Sequence, residues 1–175
     1  SLVENRAAPW AVVNATRLLI ERGVYDRVNA QQLERLLTRD PHDPLARAAQ
    51  QALVVARRDW VQSNVEPWLT NADYNVRHAA AEILRQRGVP IDPVRVRLND
   101  LRLPAGCPDK MEAARALADL TPFGRAALRD LATDPPAGVR ACPEVQSYLS
   151  RFGGGPVTSA ATKKRPAPPP SKKRR

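Results

Sequence analysis

The stretch from Thr70 to Gly88, TNADYNVRHAAAEILRQRG, carries a helix start, an apolar stripe and a helix stop, and it constrains the fold more than any other part of the chain. Asn71 or Asp73 can accept a hydrogen bond from an unpaired amide of the first turn, and Gly88 can take the left-handed conformation that ends a helix. Between them Val76, Ala79, Ala80, Ile83 and Leu84 recur at the three-and-four spacing of one helix face, with Arg77, Glu82, Arg85 and Gln86 turned away. The stripe is narrow and rich in alanine, so it cannot fold alone. Small side chains let a second helix approach closely, and the stretch reads as the inner helix of a packed helical pair.

The same pattern occurs once more upstream. Leu45, Ala48, Ala49, Ala52 and Leu53 lie 31 positions before Val76, Ala79, Ala80, Ile83 and Leu84, and Leu37-Thr38 approximates Leu69-Thr70. That period is the length of a helical hairpin. Asp43 can cap the earlier helix, and Pro44 suits its first position. Before it, Asn29 and Gln32 have capping-box spacing ahead of a Leu33, Leu36 and Leu37 stripe. A first helix is expected from Pro9 to Arg22, with Trp10, Val13, Leu18 and Leu19 among its apolar residues and Gly23 as its stop. Trp60, Val61, Val65 and Trp68 make the partner helix of the central pair, interrupted or started by Pro67; the tryptophans can fill gaps left by alanine or form an exposed aromatic platform.

After Gly88 the pattern loosens. Val89 to Pro108 holds four prolines, three arginines and alternating Val94, Val96 and Leu98, and reads as a long connector with a short extended part. A helical pair resumes at Asp109, with Met111, Ala114, Leu117 and Ala118 on one stripe; Thr121-Pro122 opens the next, with Ala127, Leu128 and Leu131. A last helix is expected to start at Pro143, where Val145, Tyr148, Leu149 and Phe152 close the core.

Asp73, Val76 and Arg77, followed by A-A-A-x-x-L, resemble the second helix of a HEAT repeat of the short bacterial kind. The resemblance covers about Leu37 to Gly88 well and the second half weakly. It implies an all-α fold of stacked antiparallel helical hairpins, an α-solenoid, in which Asp73 and Arg77 form the structural inter-repeat pair. Departures at Pro93 and Pro143 leave the number of repeats open.

Charge is unevenly placed. The chain has 175 residues and a formal charge of +10, but residues 153–175 hold seven basic residues and no acidic one, leaving 21 basic against 18 acidic in residues 1–152. A helical domain over 1–152 and a flexible proline-rich basic tail over 153–175 follow. The seven cations are Lys163, Lys164, Arg165, Lys172, Lys173, Arg174 and Arg175, and the proline between the two clusters keeps them apart. Such an arm attracts nucleic acid, anionic lipid or an acidic protein with little sequence preference. Its clusters also resemble nuclear import signals.

Catalysis has weak support. His42 and His78 read as surface residues without a nucleophile motif, no phosphate-binding loop is present, and Cys107 and Cys142 read as two separate thiols without metal-ligand spacing. No cofactor or metal is expected. No apolar run reaches the ~20 residues that span a bilayer. The first residue is Ser1, so the numbering can start inside a longer protein; the expected compartment is the cytoplasm, or the nucleus in a eukaryotic or viral setting. The sequence therefore points to a non-enzymatic helical-repeat scaffold that binds another protein, as a subunit of a larger assembly. The alternative is a nucleic-acid-binding accessory protein that uses the tail. HEAT-like DNA glycosylases are a remote third class, which would need an aspartate in a concave groove, and no residue matches one.

Overall fold

A computed structural model describes residues 4–120 and 122–153, with side chains from Ala8 onward. The described residues form helices joined by short turns, with no strand among them. In chain order the helices are α1 (Glu4–Glu21), α2 (Ala30–Leu37), α3 (Pro44–Val54), α4 (Arg58–Val65), α5 (Tyr74–Gln86), α6 (Pro93–Arg102), α7 (Cys107–Asp119), α8 (Phe123–Thr133), α9 (Ala137–Arg140) and α10 (Pro143–Leu149). Short 3-10 turns occupy Tyr25–Arg27 and Glu66–Thr70. None of these helices is long and apolar enough to cross a membrane.

Local chemistry places the ends of the early helices. Asn29, Asp43 and Asp73 each stand in extended backbone and accept a hydrogen bond from an amide of the following turn, which satisfies donors that a helix start leaves unpaired. Gly88 ends α5 with φ of 65°, a conformation that an alanine there would adopt only under strain.

Packing divides the interior into two apolar clusters. The first runs from Val13 to Val89 and is built on α3 and α5, where Ala49, Leu53, Val76, Ala80, Ile83 and Leu84 are completely buried or nearly so. Burial of Ile83 and Leu84 stabilises this half by roughly 1.5–3 kcal/mol each. Val61, Val65 and Trp68 fill its other side, so Trp68 is a core wedge, while Trp60 is half-buried against the Tyr25 ring at 5.8 Å. The second cluster runs from Leu101 to Leu149, on the end of α6 and on α7, α8, α9 and α10. At the α7–α8 corner Gly124 is buried against the Leu117 carbonyl so closely that any β-carbon would collide with it.

Three sequence expectations change here. Helix α1 begins at Glu4 rather than Pro9, and its inward face is Val13, Thr16 and Ile20; Trp10 and Leu18 stand 44% and 55% exposed. The inward residues are spaced three and four apart, and Leu18 falls off that stripe. Second, residues 93–102 form helix α6 instead of an extended connector. Asp92 caps it by accepting the Val94 amide at 2.9 Å, and Pro93 is its first residue, the same Asp-Pro start that opens α3. The alternation of Val94, Val96 and Leu98 reflects a helix serving both clusters, with Val96 packed on the first and Val94 and Leu98 on the second. Third, Cys107 and Cys142 are not separate thiols: they form a disulfide that ties the start of α7 to the residue preceding α10.

Candidate functional site

The chemistry of the molecule gathers where α5 meets α6, at the junction of the two clusters. Asp73 Oδ1 accepts the amides of Asn75 at 2.8 Å and Val76 at 3.2 Å, so its carboxylate serves its own helix. Arg77, one turn on, is 1% exposed instead of turning away from the protein. Helical side chains lean toward the N-terminus, and this one leans back onto the turn before α5. Its guanidinium donates to the carbonyls of Asn71 at 2.7 Å and Ala72 at 3.0 Å, to the Pro104 carbonyl at 3.0 Å, and through Nε to Asp100 at 3.1 Å. Asp73 and Arg77 therefore have separate partners, one local and one across the junction to α6.

Asp100 and Lys110 complete a buried polar cluster, at 4% and 1% exposure. The Lys110 ammonium donates to the carbonyls of Asp100, Leu101 and Leu103 at 3.1, 2.9 and 2.7 Å, which satisfies acceptors at the C-terminal end of α6 and places a cation at the negative end of its dipole. Burial pushes the Asp100 carboxyl pKa above its ordinary value against the downward pull of Arg77. Burial likewise pushes the Lys110 ammonium below its ordinary value. Each charge is retained by neighbouring charge-assisted hydrogen bonds, the condition under which buried ions persist. Sequence reasoning misses Asp100 and Lys110 because it misses α6; the overlooked signal is Asp92-Pro93.

Beside this cluster α5 and α6 leave an open groove of about 230 Å³. Ala81, Ile91 and Val96 contribute an apolar surface, and His78, Arg85 and Arg97 contribute the polar and cationic side chains. Arg97 lies 3.7 Å from the second Asp100 oxygen. Glu82 accepts from Arg85 at 2.6 and 2.9 Å and from Gln86 at 2.6 Å, and these bonds, the Arg85 one foremost, lower its pKa to about 2. The lining thus stays charged at neutral pH while its floor stays apolar. Its volume is below the ~300 Å³ at which small-molecule sites typically begin.

Comparison of the chain with protein-family models, with curated proteins and with solved structures finds no match. The chemical argument rests on the residues themselves. Among the described residues no group of three His, Cys, Asp or Glu side chains is placed to hold a metal ion. His42 is exposed, 3.1 Å from Arg47, and His78 is exposed at the groove. The seven tail cations, Lys163, Lys164, Arg165, Lys172, Lys173, Arg174 and Arg175, lie outside the described residues.

Proposed function

We propose that this chain is a non-enzymatic helical scaffold, a HEAT-like stack of helical pairs, that binds another protein as part of a larger assembly. The observation that supports it is the α5–α6 groove: a volume of about 230 Å³ suits one or two side chains of a partner better than a whole metabolite. An apolar floor beside Arg85, Arg97 and His78 suits a segment that offers an apolar side chain next to an acidic one. Ala81→Trp fills the groove, which Arg77 and Asp100 also line, so the variant is compared with the parent after its urea midpoint is shown to match. A partner recovered from native extract with the parent chain should be lost with this variant, and equal recovery would remove the groove from the reading.

The charge distribution favours a second reading, nucleic-acid binding through the tail. Binding of a random duplex should then weaken by about 0.9 log units per log unit of salt for each phosphate contacted, and should vanish in a chain ending at Gly153. The remote glycosylase reading now has a named carboxylate, Asp100 beside the groove, but Arg77 and Arg97 already engage both its oxygens. Turnover of alkylated DNA that is lost in Asp100→Asn would revive it.

A further inference from the structure

The Cys107–Cys142 disulfide has two unlike ends. Cys107 is exposed in the first turn of α7, between Gly106 and Pro108. Cys142 is 3% exposed and belongs to the second apolar cluster with Val139, Val145 and Leu149. Thiol–disulfide exchange requires a thiolate to reach one sulfur in line with the S–S bond, from the side opposite the sulfur that leaves. Cys107 is the end that solvent reaches, whereas Cys142 is enclosed by the apolar side chains of the second cluster.

The geometry points to Cys107 as a thiol-modification site and to Cys142 as its internal resolving thiol. The reagent class is a small thiol or a dithiol reductant. The attacking thiolate bonds to Cys107 Sγ, the S–S bond breaks, and its electron pair leaves on Cys142 Sγ, which takes a proton from solvent. With a monothiol the Cys142 thiolate returns to Cys107 and expels the thiol. With a dithiol the second thiolate of the reductant displaces Cys107, so two electrons pass from the reductant to the chain and its own disulfide closes. A thiolate in the apolar surroundings of Cys142 is poorly solvated and leaves slowly, while its position beside Cys107 makes the return fast. The bridge therefore resists monothiols and yields to dithiols, and its loss frees α9 and α10 from α7.

Because the bridge spans 35 positions and joins elements of the second cluster alone, the change is local. Reduction should loosen residues 137–149 and leave α3 and α5, which hold no part of the loop, as they were. The test uses the folded full chain, incubated with reduced glutathione, quenched with acid, alkylated and mapped by mass spectrometry. Glutathione is expected on Cys107 in at least tenfold excess over Cys142. Adducts on Cys142 or equal labelling of the two would overturn the assignment; because the return of Cys142 keeps the mixed disulfide scarce, the single variants decide the matter where no adduct is trapped. In single variants, the free thiol of Cys142→Ser should react with oxidised glutathione at least ten times faster than that of Cys107→Ser while folded, and the two should react alike in denaturant; equal folded rates would also overturn it. With a dithiol, amide exchange should rise at least tenfold in 137–149 and stay within twofold in 44–86. A uniform rise over both regions would overturn the local release.

Discussion

The two halves of this molecule are held together by different physics. Residues 13–89 fold around repeated units, an Asp cap, an alanine-bearing stripe and closing Leu or Ile residues on α3 and α5, and they bury almost no charge apart from Arg77. Residues 101–149 have fewer buried apolar residues and shorter closing helices, and they add a disulfide and a buried lysine that holds the carbonyls of α6. Apolar repetition is additive and local, whereas a cross-link or buried ion stabilises only through a partner outside its own helix. The first half should therefore tolerate redox changes and fail on core substitution, and the second should show the reverse emphasis.

The largest expected effect breaks the first half. Ile83→Asp places an unpaired carboxylate at a fully buried position and should cost about 3–5 kcal/mol, read as the shift in the urea midpoint. A midpoint within the error of the parent would remove α5 from the core. Next, removing the disulfide should act on the second half. Cys107→Ser with Cys142→Ser should cost about 2–4 kcal/mol, the range expected for a loop of this length, with the loss of protection confined to residues beyond α6 by hydrogen exchange.

These effects also mark what the sequence made legible. The caps at Asn29, Asp43 and Asp73, the alanine stripes and the stop at Gly88 act within a few residues, and each is visible in a short window. The connection of Cys107 to Cys142, of Arg77 to Asp100 and of Lys110 to the end of α6 is tertiary, and no spacing rule announces it. Helix α6 is the instructive miss, because its prolines and alternating valines outweigh an Asp-Pro start of the kind that is recognised at Asp43-Pro44. Its residues alternate because the helix lies between two cores, which blurs the single-stripe pattern. Periodicity puts Arg77 on the wrong face for a related reason: a long cationic side chain can bend back to backbone carbonyls that periodicity does not represent.

Smaller changes sharpen the comparison. Asp43→Ala and Asp73→Ala each remove a cap and should cost about 1 kcal/mol in denaturant titrations, whereas Asp43→Asn and Asp73→Asn, which keep a capping oxygen, should retain most of the parent stability. A cost near zero for both alanine variants would mean that tertiary packing alone sets these helix starts.

The smallest effect is the acid dependence of the groove. Glu82 has its carboxyl pKa lowered from 4.5 to about 2, so its contribution is present above pH 4.5 and is lost as pH falls toward 2. Asp100 has its pKa raised, so its ionisation costs the folded state at neutral pH, and that cost lifts as acid protonates it. The two slopes oppose. Glu82→Gln should therefore flatten the acid decline of stability measured between pH 4.5 and pH 2, modestly, because the pair with Arg85 is partly solvated and screened by salt. An unchanged slope would show that the Glu82–Arg85 contact adds nothing to folding.

The central claim is that a single buried ion pair, Arg77 with Asp100, couples the two clusters across the α5–α6 junction at 1% and 6% side-chain exposure. A double-mutant cycle with Arg77→Met, Asp100→Asn and the pair of substitutions together, read by denaturant unfolding, tests it most directly. Each single change should cost about 3 kcal/mol or more, because it leaves the other charge buried without its closest ionic partner. The double variant should be less destabilised than the sum of the two, by a coupling of about 2 kcal/mol. A coupling below about 0.5 kcal/mol would contradict the claim and leave the halves joined by apolar contact along α6 alone.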